Sequence, residues 1–231
     1  MQSSCSYFAS LRLCGRIFIL LLTLAGSSNA FQTAEPIFAE AEKLRSEQRE
    51  DANLKAIEKF REAATAFQNS NDLKRAAVAF RNAGEILQLL GNSAEALVCY
   101  QQAQALNRKT RDQLEEARLF NDLSYLYFID GKSKEAEQNA RSALQLARAL
   151  RNRAIEAEAL NNLGEAFYGL GERTENQQFE QQSLTIWREL NDPRGQAVSS
   201  MYGIFRSSGS IGVSSIPASL NKARIVGAVS S

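Results

Sequence analysis

The sequence predicts an all-α fold: a right-handed superhelical array of antiparallel helix pairs, or α-α solenoid. Three observations predict it: residue types recur at one fixed spacing, no proline lies between Pro36 and Pro193, and good helix formers are abundant. Proline is the strongest helix breaker, whereas Ala, Leu, Glu, Gln and Arg favour helix. The chain has 231 residues, enough for one domain with a sizeable core, and a formal net charge of +1. This balance gives no indication of a nucleic-acid partner.

Residues 1–30 have the three-part layout of a secretory signal peptide. Two arginines precede an apolar run over residues 17–25, and small residues at Ser28 and Ala30 suit cleavage after Ala30. A membrane anchor is the alternative, but the run is about half as long as the ~20 apolar residues that span a bilayer. We therefore predict an exported protein, periplasmic or extracellular, with no stable membrane span after signal cleavage.

A spacing of forty residues organises the rest of the chain. Three sets of residues recur at this spacing: Asp72, Asp112, Asn152 and Asp192; Gly91, Gly131 and Gly171; and Ala77, Ala117, Ala157 and Ala197. A repeat of this length cannot bury its apolar face alone, so neighbouring repeats stack and share a core. The sequence predicts repeats over residues 73–112, 113–152 and 153–192, preceded by an initial helix and a degenerate first repeat over residues 31–72.

Each repeat is predicted to contain two helices. The Asp and Asn residues of the first set suit the N-caps of first helices, and the glycines suit left-handed helix ends. Ser93 and Ser133 are predicted to cap second helices. Arg108, Arg148 and Arg188 fall near the ends of second helices, where a cation suits the helix dipole, so a binding role is not needed to explain them.

Two segments depart from this pattern. In the third repeat, Asn176 and Glu180 stand where a small residue and an aromatic residue are expected, which predicts a weaker second helix or one whose face turns outward. Residues 193–231 contain no acidic residue, and their periodicity is weak. We consider three interpretations of this last segment: a degenerate capping unit, an irregular and flexible tail, or sequence altered by truncation or a reading-frame error.

Residues 160–171 and 94–103 resemble tetratricopeptide repeats. The family's Leu-Gly pair and the aromatic residue after it are matched by Leu163, Gly164 and Phe167. The resemblance covers residues 36–192, and the forty-residue period is similar to the longer-helix variant of the family. The signal peptide and repeats also resemble the N-terminal half of secreted bacterial proteins that end in a CHAT domain, a Cys–His protease. This chain has no histidine, so that activity is not transferred.

The composition argues against catalysis. The absence of histidine removes the commonest general base and the commonest metal ligand. Beyond residue 30 the chain has one cysteine, Cys99, which we interpret as a small apolar filler. We therefore predict no enzyme activity, no catalytic residue, no metal site and no cofactor.

The resemblance implies that first helices line a concave groove that binds an extended peptide. Counted from the Leu-Gly pair, the groove candidates are Arg81, Glu85, Asn121, Tyr125, Asn161, Glu165 and Tyr168. Asparagine offers a donor and an acceptor to a peptide backbone, and tyrosines can anchor an interface. Chaperone-binding members clamp a terminal carboxylate with Lys and Asn; Glu85 takes the place of that Asn and disfavours such a ligand.

We therefore predict an exported protein–protein interaction scaffold that binds a peptide or protein segment in its concave groove. Two alternatives come from other classes. One is the regulatory or recognition half of a CHAT-type protease whose catalytic domain is absent from this chain. The other is a structural module that self-associates, repeat upon repeat, through an uncapped end.

Overall fold

The computed structural model describes residues 34–199, and within them it contains nine helices and no strand. The helices are 34–46 (α1), Glu50–Asn69 (α2), Leu73–Leu89 (α3), Ser93–Thr110 (α4), Gln113–Ile129 (α5), Ser133–Ala149 (α6), Arg153–Leu170 (α7), Arg173–Glu189 (α8) and 193–199 (α9). The predicted all-α array of helix pairs is confirmed. The predicted signal peptide and residues 200–231 lie outside the described residues.

The forty-residue spacing of the sequence reappears in the helix boundaries. First helices begin at residues 73, 113, 153 and 193, and second helices begin at residues 93, 133 and 173. The carboxylates of Asp72 and Asp112 accept backbone N–H groups three residues later at 3.1 and 3.2 Å, and Asn152 does the same at 3.1 Å. These N-caps satisfy N–H groups that the first turn of a helix leaves unpaired, so each one marks where a repeat starts.

A glycine with a positive φ angle lies in the turn that connects each of the first helices α3, α5 and α7 to its second helix. Gly91, Gly131 and Gly171 have φ angles of 80, 74 and 84°, a region that glycine adopts without a steric cost. The prediction that Ser93 and Ser133 cap second helices is wrong. The residue directly after the glycine takes the N-cap position, so each serine is already the first helical residue.

The helices form two layers. The first helices α3, α5 and α7 each pack against the second helix that follows, and α2, α4 and α6 also pack against the next first helix, α3, α5 and α7 respectively. First helices touch one another directly, α3 against α5 and α5 against α7. At the start of the array, the rings of Phe38 on α1 and Phe60 on α2 meet edge to face at 5.3 Å. First helices therefore form the inner layer, and second helices form the outer layer.

Small residues bring the paired helices close together. A Cβ atom on Gly84 would lie 2.5 Å from the ring of Tyr100, so only glycine leaves room for that ring. Tyr100 is fully buried, and its hydroxyl donates a hydrogen bond to Gln88 at 2.7 Å. The ring on α4 and the glycine on α3 are thus one packing unit.

The third repeat replaces this aromatic packing with a polar contact. Asn176 donates to the carbonyl oxygen of Gly164 at 2.8 Å and to the carboxylate of Glu180 at 2.9 Å. Both side chains are buried, and α8 runs its full length. The expectation of an outward-turned face is therefore wrong, because the asparagine donates to a carbonyl group of α7 from inside the pair.

The ninth helix continues the repeat pattern. Gly195 lies directly against the ring of Trp187, and Gln196 donates to the backbone carbonyl of Trp187 at 3.3 Å. The hydroxyls of Ser183 and Ser199 lie 3.1 Å apart. Residues 193–199 thus form a helix packed on α8, which favours the interpretation as a capping unit for this part of the last segment.

Candidate functional site

A continuous line of polar side chains joins the four inner helices α1, α3, α5 and α7. We call it the first-helix seam, and it consists of Glu42, Arg45, Arg81, Asn82, Glu85, Glu115, Arg118, Asn121, Asp122, Glu158, Asn161, Asn162 and Glu165. Five of the seven predicted groove residues belong to it. The other two, Tyr125 and Tyr168, lie on the same helices.

The half of the seam nearest the N-terminus is a network of ion pairs. Glu85 on α3 contacts Arg45 on α1 at 2.5 Å and also contacts Arg81 one turn earlier on its own helix. Arg81 reaches across to α5, where it contacts Glu115 at 3.1 Å and Asp122 at 3.3 Å. Buried charges are tolerated only when they are paired, so these contacts hold three first helices in register.

The network shifts the pKa values of its members. Burial alone would raise the pKa of Glu85, but the positive charges of Arg81 and Arg45 outweigh burial and hold this pKa below its usual value. Burial would lower the pKa of Arg81, but Glu85, Asp122 and Glu115 raise it well above its usual value. Glu42 behaves differently: burial raises its pKa despite the nearby charge of Arg45.

The half of the seam nearest the C-terminus is built from asparagines. Asn162 on α7 donates to the backbone carbonyl of Asn121 at 3.0 Å and to its side-chain oxygen at 3.3 Å. In return, Asn121 donates to the carbonyl of Ile155 at 3.4 Å and to Glu158 at 3.2 Å. These hydrogen bonds pack α5 onto α7 without an arginine.

The structure corrects the predicted role of Asn121. Its side chain is only 2% exposed, and its amide group is occupied by Ile155 and Glu158. It is therefore a bridge between two inner helices, because direct stacking of α5 on α7 buries this position. The sequence identified the correct helix face but gave no measure of its depth.

The other predicted residues differ in their access to solvent. Glu85, Tyr125 and Glu165 are buried, whereas Arg81 and Tyr168 are partly exposed. Tyr125 packs with Phe128 on its own helix and with small residues of α6 and α7. A ligand would therefore meet the edge of the seam rather than its centre.

Asn161 differs from the other asparagines of the seam in the hydrogen bonding of its side-chain oxygen. Its amide nitrogen donates to Glu165 at 3.3 Å, but its side-chain oxygen has no hydrogen-bond partner among the described residues. The residue is only 5% exposed. A buried acceptor without a donor is costly, so this atom is a candidate point of contact for a ligand.

Some members of the seam were not predicted as groove residues from the sequence, among them Glu42, Arg45, Glu115, Arg118 and Glu158. The period contained the signal for two of them, because Arg118 and Glu158 lie forty residues apart, each three residues before a predicted asparagine. Residues three and four apart share a helix face, so the same counting could have included them.

Neither a metal centre nor a membrane span is found within residues 34–199. This part of the chain has no group of three His, Cys, Asp or Glu side chains placed to hold a metal ion, and none of its helices has the length and apolar character to cross a bilayer. Cys99 is buried, burial raises the pKa of its thiol, and Arg61 approaches its sulfur at 3.7 Å.

The two layers of paired helices and their continuous inner face define a helical-repeat protein of the solenoid class. The sequence profile described as Tetratricopeptide repeat matches residues 75–149 and 115–189. The chain therefore belongs to the tetratricopeptide repeat family. No curated protein matches it.

Two solved structures show the same fold. One is a Rap protein complexed with competence and sporulation factor: TM-score 0.62, 20% identity, with 72% of this chain and 47% of that chain covered. This chain thus spans about half the length of that Rap chain. The other is BtubC (BKLC) from P. vanneervenii: TM-score 0.64, 19% identity, with 90% and 89% covered. The narrower resemblance to CHAT-domain proteins stays a prediction.

Proposed function

We propose that this chain is an exported scaffold that holds a polypeptide segment against the inner face of its first helices. The observation that carries the proposal is the first-helix seam, since it gives the four inner helices α1, α3, α5 and α7 one continuous polar face. Membership of the tetratricopeptide repeat family supports a protein-binding role. The similar Rap protein was solved in complex with competence and sporulation factor, which supports ligand binding by arrays of this fold.

The ion pairs of the seam suit such a role physically. Arg45 and Arg81 both pair with Glu85, and all three side chains are largely buried, so they keep the inner helices in one arrangement before a ligand arrives. A preformed face loses little conformational freedom on binding, and more of the contact energy appears as affinity.

Site-specific photocrosslinking tests the proposal. A photoreactive phenylalanine derivative at Tyr168, which is partly exposed on inner helix α7, is compared with the same group at Val98, which is exposed on second helix α4. With a mixture of random-sequence peptides, the inner position is expected to give peptide adducts and the outer position is not. Equal labelling at both positions would count against an inner binding face.

Self-association is a second candidate function, favoured by one observation on α9. Ala77, Ala117 and Ala157 are buried, whereas Ala197, at the matching position of α9, is exposed. An exposed small-residue face at the end of an array offers a place for a further helix. Sedimentation velocity over a range of concentrations tests this, with Ala197→Arg as the variant expected to abolish association. A concentration-independent monomer would exclude it.

A further inference from the structure

The last described helix, α9, has a face that is covered in the preceding repeats. Ala157 on α7 and the equivalent alanines on α3 and α5 are buried, whereas Ala197 at the same position of α9 is exposed. In the third repeat the cover comes from the second helix, since Ile186 and Trp187 of α8 pack with Ala157. Within residues 34–199 no second helix follows α9, so the face around Ala197 has no such cover there.

The structure defines which positions of a second helix provide this cover. Four positions are buried in α4, α6 and α8 alike, and within each helix they are four, three and four residues apart. This is the spacing of one helical face. The residues at these positions are Ala96, Ala136 and Asn176; Tyr100, Ala140 and Glu180; Ala103, Ala143 and Ser183; and Asn107, Ala147 and Trp187.

The sequence forty residues beyond α8 has an apolar residue or glycine at all four positions. These residues are Ile216, Leu220, Ala223 and Gly227. The polar side chains of Asn221, Lys222 and Arg224 fall at positions that are not buried in any of the three second helices, whereas Ile225 departs from the pattern because its equivalents are all exposed. The buried positions of a second helix therefore recur in a segment whose residue types do not repeat those of the earlier repeats.

Pro217 indicates where a helix in this segment would begin. Proline is tolerated in the first turn of a helix, where its missing N–H group would have no partner in any case. A helix that begins at Ile216 places Pro217 in that turn and Ser215 at the N-cap, a position that serine favours. Such a helix begins later than α8 does within its repeat, but it still contains all four positions.

We propose that residues 216–227, which lie outside the described residues, form a second helix that packs on α8 and α9 and covers the face around Ala197. Burial of the side chains of Ile216 and Leu220 against that face provides the driving force. The proposal goes beyond the proposed function, because it does not depend on where a ligand binds. It assigns to the chain itself the face that self-association would give to a second copy.

The third repeat specifies one contact of the proposed helix. Ser183 on α8 donates to the backbone carbonyl of Ala157 on α7 at 2.8 Å. Forty residues later these positions are occupied by Ala223 and Ala197, so these two residues are expected to be adjacent.

A pair of introduced cysteines tests this contact in the whole chain. Ala197→Cys combined with Ala223→Cys is expected to form a disulfide within one molecule on mild oxidation, because a disulfide requires neighbouring backbones. Ala197→Cys combined with Ala218→Cys is the control, since Gln178, forty residues before Ala218, is exposed. Digestion with chymotrypsin followed by mass spectrometry identifies the linked peptides, and a non-reducing gel shows whether one molecule or two are joined.

Three outcomes of this experiment would overturn the proposal. Absence of the link between positions 197 and 223 would show that the segment does not cover this face. Equal linkage in the control pair would show contact without a defined helix face. A link that joins two molecules would make a second copy the occupant and would support self-association instead.

A second measurement compares two apolar residues of the segment in thermal melting. Leu220→Ala is expected to lower the melting temperature by about 5 °C or more, because a large side chain is lost from a buried position. Ile225→Ala is the matched control, and no decrease is expected for it, since the equivalent positions of α4, α6 and α8 are exposed. An unchanged melting temperature for Leu220→Ala, or equal decreases for both variants, would contradict the proposed helix.

Discussion

Arg45 and Glu85 are forty residues apart and form a buried ion pair of 2.5 Å between α1 and α3. One repeat length therefore separates the two partners of the first contact in the seam. Arg81 extends the same network to Asp122, forty-one residues further along the chain. The spacing that defines the repeat in the sequence therefore also separates residues that form ion pairs between successive inner helices.

Removing the cation of this pair is expected to destabilise the fold. Arg45→Met leaves Glu85 buried with one arginine fewer, and the expected loss is about 3 kcal/mol in the free energy of unfolding, measured by urea denaturation. Arg49→Met is the matched control, since Arg49 pairs with Asp51 at 2.5 Å where both side chains are exposed. No measurable change is expected for the control. Equal effects of the two variants would show that burial does not determine the strength of the pair.

Acidification is expected to weaken the array through Glu85. Its pKa is lower in the folded than in the unfolded chain, so its stabilising contribution is complete above its unfolded value of about 4.3. The contribution is lost as the pH falls through the lowered folded value. The melting temperature of Glu85→Gln should fall less steeply on acidification than that of the unmodified chain. An equally steep fall would assign the acid sensitivity to other carboxylates.

Glu42 is expected to act in the opposite sense. Burial raises its pKa in the folded chain, so its ionised form opposes folding at neutral pH, and this penalty disappears as the pH falls below its unfolded value. Glu42→Gln should therefore melt at a slightly higher temperature than the unmodified chain at neutral pH and at the same temperature in acid. Glutamine retains an oxygen that can accept the 2.7 Å hydrogen bond from Asn82. A lower melting temperature at neutral pH would contradict this prediction.

The two seam asparagines are expected to differ when each is changed to alanine. Asn121→Ala removes donors to Ile155 and Glu158 and an acceptor for Asn162, and it should cost about 1–3 kcal/mol. Asn161→Ala removes one donor and an oxygen that has no described partner, so it should cost less. The free energies of unfolding of the two variants, measured side by side, test this. A larger cost for Asn161→Ala would show that its oxygen is satisfied within the chain.

Gly84→Ala is expected to disrupt the packing of α3 on α4. The added Cβ atom would lie 2.5 Å from the ring of Tyr100, and overpacking of this kind costs about 1–3 kcal/mol. Shortening the ring partner with Tyr100→Leu should recover part of the loss, so that the two changes are not additive. Strictly additive losses in thermal melting would indicate that the glycine and the ring do not act together.

The position of the N-terminal residue in the secreted protein tests the prediction of export. If residues 1–30 form a cleaved signal peptide, the secreted protein should begin at Phe31, which N-terminal sequencing detects. An Ala30→Arg variant should block cleavage, because signal cleavage sites require a small residue there. Recovery of the unmodified chain with residues 1–30 intact would favour the alternative of a membrane anchor.

Local patterns were enough to predict the repeat. A polar N-cap such as Asp112 and a glycine such as Gly131 act within a few residues of themselves, so their spacing predicts where helices begin and end. The patterns failed where the outcome depended on a neighbouring helix. Asn176 reads as a defect in a second helix, and only the position of the Gly164 carbonyl shows that it is a buried hydrogen-bond donor.

The sequence by itself determined the helix order, the forty-residue repeat and the helix face on which the candidate residues lie, because caps, turns and periodicity are short-range effects. The tertiary structure decided which of those residues are accessible. Stacking of first helices buries Asn121 and Glu85 in contacts across the array and leaves the edge near Glu42 and Asp122 open to solvent. The solvent exposure of each residue depends on how closely the inner helices stack. The sequence pattern of a single helix does not predict that distance.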